Sequence, residues 1–435
     1  MKEINIGILG CGVIGTGVAK LLIEKKSLLT KRIGTELNLK NISDLDLSRK
    51  REIEFDDNIL ISDSEKIVND PQINIIIELI GGETIAKDLI IKALKNGKHV
   101  VTANKALLSK HGNELVKIAR ENHVDLAFEA STAGCIPIIK TLKESHIGND
   151  IKSISAILNG TCNYILTKIS KQGISFDEAL KDAQAKGFAE ADPFLDVEGL
   201  DTAHKLAILN AIAHGIDFNL NDIHVEGISR ITPLDIQFGF EFGYTIKLLA
   251  ISKFEKDFIE ARVHPTMIPI SNPLSNVDGS MNAVVIDGDA TGQTMLYGHG
   301  AGMLPTASAV INDIADISRT FLAGSKRRTP ILGYPAENIE KAVILPMENL
   351  ITRYYLRCFA QDSPGVLSKI SGILGEENIS IESVHQKGLK ANGTVPIVMV
   401  THLAKEKNML NAINKISQLD SIPEEPYLIR IEENY

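Results

Sequence analysis

The chain has 435 residues, 44% of them hydrophobic and 23% charged, with a formal net charge of −9. That is enough for about three domains at roughly 150 residues each, while 5% aromatic content, no tryptophan and no long Lys/Arg run exclude a nucleic-acid partner. Four scattered cysteines (11, 135, 162, 358) without CxxC spacing argue against a zinc site or a disulfide framework, and no uncharged apolar run reaches the ~18 residues of a membrane span, so a cytoplasmic enzyme with no membrane partner is expected.

INIGIL (4–9) reads as a buried strand running into GCGVIG and then an apolar helix from Ile14 to Ile23. The glycines at 10, 12, 15 and 17 break the pattern a signal peptide would need. LNLKNISD (37–44), INIIIELI (73–80), HVVTA (99–103) and VDLAFEA (124–130) follow as strands, with helical spacing between them and Gly97 as a helix stop. Strands alternating with helices predict an α/β fold, a doubly wound parallel sheet of the Rossmann type over 1–135, with a returning helix near 305–322. From 136 to 304 the pattern becomes α+β, with an alternating strand at 151–158, a helix at 200–214 and strands at 223–228, 244–255, 258–265 and 283–289. Residues 323–350 are Pro- and charge-rich and read as a linker, and 351–435 order themselves βαββαβ, a ferredoxin-like unit.

GCGVIG fits G-x-G-x-x-G in its required context, between a strand and a helix. Gly10 serves the turn, Gly12 lets backbone approach a pyrophosphate, Gly15 brings helix and strand together, and Val13 and Ile14 open a helix whose N–H groups suit phosphate. The plainer reading is a glycine-rich βα turn. Asp44, ending the second strand, would favour the ribose of NAD, whereas Arg49, Lys50 and Arg51 could hold the 2′-phosphate of NADP. Thr102 lies at, and Lys105 just after, a strand's carboxyl end, the edge where open α/β sheets bind ligands.

The richest stretch is AQAKGFAEADPFLDVEGLDTAHKLAIL (183–209). A loop carrying Glu190, Asp192, Asp196 and Glu198 runs into a helix, apolar nearly all round, with Asp201 and Lys205 four residues apart on one face. Such a helix is buried, which sets the pair at a pocket mouth; an exposed ion pair is the plainer alternative. Holding Mg²⁺ with these acids is disfavoured by the lysine.

VVTANKALL, FEASTAGCIPII, ILNGTCNYILT, GFAEADPFLDVEGLDTAHKLAIL and GHGAGMLPTASAVIND, in this order and spacing, resemble the homoserine dehydrogenase family over essentially all 435 residues. RYYLR and DSPGVLSKISGILGEENISIESV resemble an ACT domain, an amino-acid-sensing module. The resemblance implies reversible oxidation of L-homoserine to L-aspartate 4-semialdehyde with NADP or NAD, in threonine, methionine and isoleucine biosynthesis. It also implies that the middle domain is catalytic and dimerises, giving a homodimer or higher homo-oligomer. By motif, Lys205 is the expected proton donor and acceptor, Lys105 touches substrate and nicotinamide, Glu190 binds the substrate amino group, Asp201 orients substrate and lysine, and Gly302 lies against the cofactor. A monovalent cation, sodium, is implied at Glu129 and the carbonyls of Thr132, Gly134 and Ile136. Threonine is the implied effector, at Asp362, Pro364, Gly365 and Val366. Thr132, Cys135, Phe188 and Phe194 depart from the family's usual Val, Gly, Tyr and Thr, and a cysteine cannot adopt backbone angles reserved for glycine. Two other readings exist: a thiolate enzyme using Cys162 or Cys135, and a non-catalytic metabolite sensor, which would not need Lys105, Asp201 and Lys205 together.

Overall fold

The computed structural model describes residues 3–433, apart from 57, 257, 326–327, 342, 387 and 389–392. The chain folds into two compact units, one made of Met1–Ile154, Asp201–Ile223 and Met281–Ala342, the other of Ser155–Leu200, His224–Ser280 and Val343–Tyr435.

In the first unit, INIGIL forms the strand Ile4–Leu9, apolar on both faces because helices cover both sides of a parallel sheet. Six parallel strands lie in the order Leu60–Ile61, Leu37–Ser43, Ile4–Leu9, Ile75–Glu78, His99–Thr102, Leu126–Ala127. The chain reverses its winding direction between Ile4–Leu9 and Ile75–Glu78, and the crevice at such a switch point is where doubly wound sheets bind ligands. The returning helix, expected near 305–322, is Met303–Leu322, and its Val310, Ile314 and Ile317 share one core with Ile4, Ile6 and Ile8. It packs on the helix Val13–Glu24 at Gly17, where an added Cβ would lie 2.7 Å from the Met303 side chain.

Two local expectations differ. The strand expected over 124–130 stops at Ala127, and Glu129–Ser131 forms a 3-10 turn. Phe128 O accepts both the Ser131 N–H (3.0 Å) and its hydroxyl (2.6 Å), and the Glu129 N–H leaves the sheet to meet Asp313 Oδ2 (2.9 Å). The strand near 283–289, observed as Met281–Gly288, has an antiparallel partner, Gly292–His299, whose glycines and polar residues concealed it.

Ile151–Ile157 carries the chain toward the second unit. There a sheet runs in the order Tyr244–Glu255, Phe258–Pro269, Tyr427–Ile431, Ile351–Gln361, Thr394–Thr401, Ile381–Gln386. The expected βαββαβ elements are all present, with helices Val366–Glu376 and Glu406–Ile416 on their own core. Residue 387, within the second expected strand of this module, lies outside the described residues. This module does not close on itself. Its last strand pairs in parallel with Phe258–Pro269 through Thr266↔Arg430 and Met267↔Ile431, and antiparallel with Ile351–Gln361.

Buried ion pairs reinforce that seam. Arg357 Nε donates to Asp235 Oδ1 (2.7 Å), which also accepts from Tyr355 (2.9 Å), and Asp235 is fully buried. Arg430 grips Glu226 with two bonds of 2.8 Å and reaches Glu406 with Nε (3.0 Å). Arg262 pairs with Glu432 at 2.5 Å. Burial alone would raise the Glu226 carboxyl, but the bonds from His224 and Arg430 outweigh it and hold the group well below the usual carboxylate range. A group depressed in this way stabilises the fold above its unfolded value, about 4.3 for glutamate, and the contribution disappears as pH falls through and below that value. Urea midpoints are therefore expected to fall as pH drops below about 4.5, more steeply than in Glu226→Gln. Parallel curves for the two proteins would remove Glu226 from the acid response.

Candidate active site

The turn after Ile4–Leu9 is built by its glycines. Gly10 takes φ 96°, and a Cβ there would sit 2.6 Å from Leu79 O. A Cβ at Gly15 would lie 2.0 Å from Gly10 O, whereas Gly12 has no atom within 4 Å of its Cβ position. The tight turn, the close helix–strand contact and the open approach to the helix start are thus all in place. Gly12 caps the helix without a side-chain bond, leaving the N–H groups of its first turn for an anion. Val13 is exposed there. Gly302, at φ 122°, caps the helix Met303–Leu322 against this same helix pair. The residues fit a dinucleotide pyrophosphate.

Asp44 follows the second strand, as expected, but its carboxylate is engaged. Oδ2 accepts the Cys11 N–H (2.9 Å) and Oδ1 the Asp46 N–H (3.0 Å). Arg51, not Arg49, is the basic residue folded over the loop, with Nη2 at 3.2 Å from Asp44, Nε donating to Cys11 O (3.2 Å) and Nη1 to Arg49 O (2.9 Å). Arg49 is exposed. Burial would raise the Asp44 carboxyl, but the bonds from Asp46, Arg51 and Cys11 bring it below the ordinary value.

The helix Leu200–His214 is buried almost throughout, so Asp201 and Lys205 are only 7% and 8% exposed. Lys205 Nζ donates to Asp201 Oδ2 at 2.6 Å, and Lys105 Nζ stands 3.1 Å from Oδ1. One carboxylate therefore holds two ammonium groups from distant parts of the sequence. Lys105 opens the helix Lys105–Glu121, directly after the strand His99–Thr102. Its position is set by a residue that motif reasoning passed over. Glu78, fully buried at the end of its strand, accepts the Thr102 hydroxyl at 2.6 Å and the N–H groups of Ile80 (2.9 Å) and Gly81 (3.1 Å). Thr102 Oγ1 in turn accepts the Asn104 N–H (3.0 Å), and the Asn104 side chain caps the helix at Leu107 N (3.2 Å). Burial raises the Glu78 carboxyl despite these bonds. The signal in the sequence was an acid closing an otherwise apolar run, INIIIELI.

Glu190 belongs to the second unit, exposed in the turn after the helix Phe176–Ala185. Gln184 Nε2 holds its carbonyl (3.1 Å), and Thr161 Oγ1 holds that of Phe188 (2.5 Å). Asn159 caps its helix at Cys162 N (2.9 Å) and donates to Asp196 (2.7 Å). The NGTCNY motif thus anchors both ends of the acidic loop. Cys162 is buried and its thiol donates to Asp196 O (3.1 Å), a small structural thiol tying down that loop.

Glu129 Oε1 accepts the Ile139 N–H (2.8 Å) and Oε2 the Lys140 N–H (2.9 Å), and Ile136 O accepts from Ile138 N (2.8 Å). Burial raises the Glu129 carboxyl to about 7 against these two bonds. Thr132 and Ile136 are buried, and Gly134 has the positive φ of this turn, 59°, while Cys135 does not. These groups hold their own turn. Among the described residues no cluster of three or more His, Cys, Asp or Glu could hold a metal, and both Glu129 oxygens and the Ile136 carbonyl already accept backbone N–H groups. In the C-terminal module, Gly365 (φ 87°) caps Val366–Glu376 with no side-chain bond, and Asp362 and Pro364 are exposed beside it.

Among the described residues no helix is long and apolar enough to cross a membrane. Residues 137–315 match the homoserine dehydrogenase family, 10–129 match the homoserine dehydrogenase NAD binding domain, and 354–420 match the ACT domain. A homoserine dehydrogenase of Neisseria gonorrhoeae is 44% identical over 432 residues, covering 99% of both chains. The crystal structure of a homoserine dehydrogenase from Thiobacillus denitrificans superposes with a TM-score of 0.94 at 44% identity, over 100% of this chain and 99% of that one. A hyperthermophilic archaeal homoserine dehydrogenase in complex with NADPH gives a TM-score of 0.60 at 27% identity, over 73% of this chain and 98% of that one. With relatives this similar along its whole length, the chain belongs to the homoserine dehydrogenase family.

Proposed function

We propose that the chain interconverts L-homoserine and L-aspartate 4-semialdehyde, with Lys205 moving the proton of the substrate's C4 oxygen. The observation that carries this is the buried Asp201 carboxylate holding Lys205 and Lys105 together at a strand's carboxyl end. Hydride passes between C4 and the nicotinamide of NAD or NADP when the dinucleotide is bound. In oxidation the C4 hydroxyl gives its proton to Lys205, and in reduction the Lys205 ammonium returns it to the developing alkoxide. Asp201 orients both lysines, and Lys105 adds a second positive group for the oxygen's developing charge. No step is assigned to a cation. Absorbance at 340 nm with L-homoserine and each of NAD and NADP tests the reading; no turnover with either would reject it.

Glu190 is the proposed partner of the substrate's α-ammonium, on the family resemblance and its place in the acidic loop. Glu190→Gln is expected to raise KM for homoserine at least tenfold, leaving the cofactor KM within about twofold, as losing a charge-assisted bond of roughly 1.5–3 kcal/mol requires. Equal changes in both constants would contradict the assignment. Threonine is the proposed effector of the ACT domain at Asp362, Pro364, Gly365 and Val366, where uncapped helix N–H groups suit its carboxylate. A cytoplasmic homodimer completes the proposal, supported by four free cysteines and by Met295 and Tyr297 exposed on an edge strand.

A further inference from the structure

Asn282, on the strand Met281–Gly288, is fully buried, and neither its amide oxygen nor its amide nitrogen has a hydrogen-bond partner among the described residues. An interior amide in that state costs stability, and native proteins keep few of them. It faces the loop Gly298–Gly302. Asn282 pairs across the ladder with Gly298, and one diagonal step on, a Cβ at Gly300 would lie 2.0 Å from its Nδ2 and 2.5 Å from its Oδ1. Only glycine fits there, with its α-carbon resting on the amide. The turn at 134–136 closes on the same loop: a Cβ at Gly134 would lie 2.4 Å from the Gly300 carbonyl carbon, and the Cys135 N–H bonds His299 O (3.2 Å). The loop ends at Gly302, which caps the helix Met303–Leu322 without a side-chain bond. That helix start packs on Gly17, in the second turn of the helix capped by Gly12. A second set of free helix N–H groups is thereby set beside the dinucleotide turn. Between the last ladder pair, Met281↔His299, and the first helix bond, Thr306 N to Gly302 O (3.1 Å), lie the peptides of 300–302, where two glycines allow rotation without side-chain hindrance.

We propose that Asn282 is a positioning residue for the dinucleotide. When the cofactor engages the two helix starts, the peptides of 300–302 turn, and their N–H and C=O groups bond the Asn282 amide. The free chain holds an unpaired amide in reserve, and cofactor binding satisfies it. The inference rests on dinucleotide binding at the glycine turn, and it adds a residue that acts through the loop alone.

Melting curves of the full chain, with calorimetry using NAD and NADP, test this in Asn282→Leu and Asn282→Val, which replace the amide by apolar groups of similar size. At least one free variant is expected to melt no lower than the wild type, because it loses only an unpaired amide. Its Kd for the dinucleotide that the wild type binds is expected to rise roughly tenfold, about 1.4 kcal/mol. KM for homoserine should stay within about twofold. An asparagine with a merely structural role reverses the pattern, lowering the melting temperature and leaving Kd unchanged. The proposal is overturned if both variants melt lower than the wild type or fail to fold, since the amide would then be paired already in the free chain. It is equally overturned if a variant that melts normally binds the dinucleotide like the wild type. A wild type that binds neither NAD nor NADP would reject the dinucleotide reading itself, and this inference with it.

Discussion

Lys205→Ala is expected to lose turnover in both directions by at least a hundredfold, the lower range of what a positioned acid–base group contributes, about 10²–10⁴. The substitution removes the ammonium 2.6 Å from Asp201 and leaves that carboxylate with Lys105. Cofactor affinity should stay within about twofold, because the glycine turn and its helix start are built by other residues; that margin is well under 1.4 kcal/mol. The unpaired half of a buried carboxylate also costs stability, so the melting temperature belongs in the same experiment. Lys205→Ala combined with Asp201→Asn should recover melting temperature without recovering turnover. Retention of a tenth of wild-type activity by Lys205→Ala would falsify the proton-transfer role.

Ending the chain after Leu350 is expected to prevent folding of the second unit, not merely to release regulation. The deletion exposes the edge of Phe258–Pro269 that Tyr427–Ile431 covers, and strips Asp235 of Arg357 and Tyr355 and Glu226 of Arg430. Breaking a buried pair by removing one partner costs roughly 3–5 kcal/mol. Asp235 is fully buried and bears that cost, while Glu226, with 37% of its side chain exposed, loses less; together they remove a large share of the stability of a domain, about 5–15 kcal/mol. The expected result is insoluble protein, or soluble protein without a cooperative melt. A truncated chain that melts like the full one and keeps turnover would show the seam to be dispensable.

Legibility in the sequence followed the range of the interactions. The glycine turn could be read because its glycines fall at fixed spacing within six residues, between an apolar run and a helical pattern. The burial of Asp201 and Lys205 could be read because the helix around them is apolar on every side. Arg51 and Arg49 could not be ranked, since both are basic residues two apart and only the path of the loop decides which guanidinium folds inward. Glu78 was hidden for a related reason: the turn at 80–81 bonds it locally, but Thr102, which links it to Lys105, meets it only once two parallel strands lie side by side. The C-terminal strand was recognisable as a strand, and its neighbours were not. Periodicity reports which face of an element is apolar and carries nothing about which edge it will join, so a complete βαββαβ pattern looked like a free-standing module.

That inserted strand also sets an order on biosynthesis. Phe258–Pro269 leaves the ribosome well before Arg430 and Ile431, the residues that cover its edge. At a translation rate of about 5–20 residues per second, that interval is on the order of ten seconds or more. Throughout it Thr266 and Met267 keep unpaired N–H and C=O groups, while His224–Val225 pairs with Arg262 and Val263 on the same edge. A premature stop near the end of the message is therefore expected to yield an aggregation-prone product and not an unregulated enzyme.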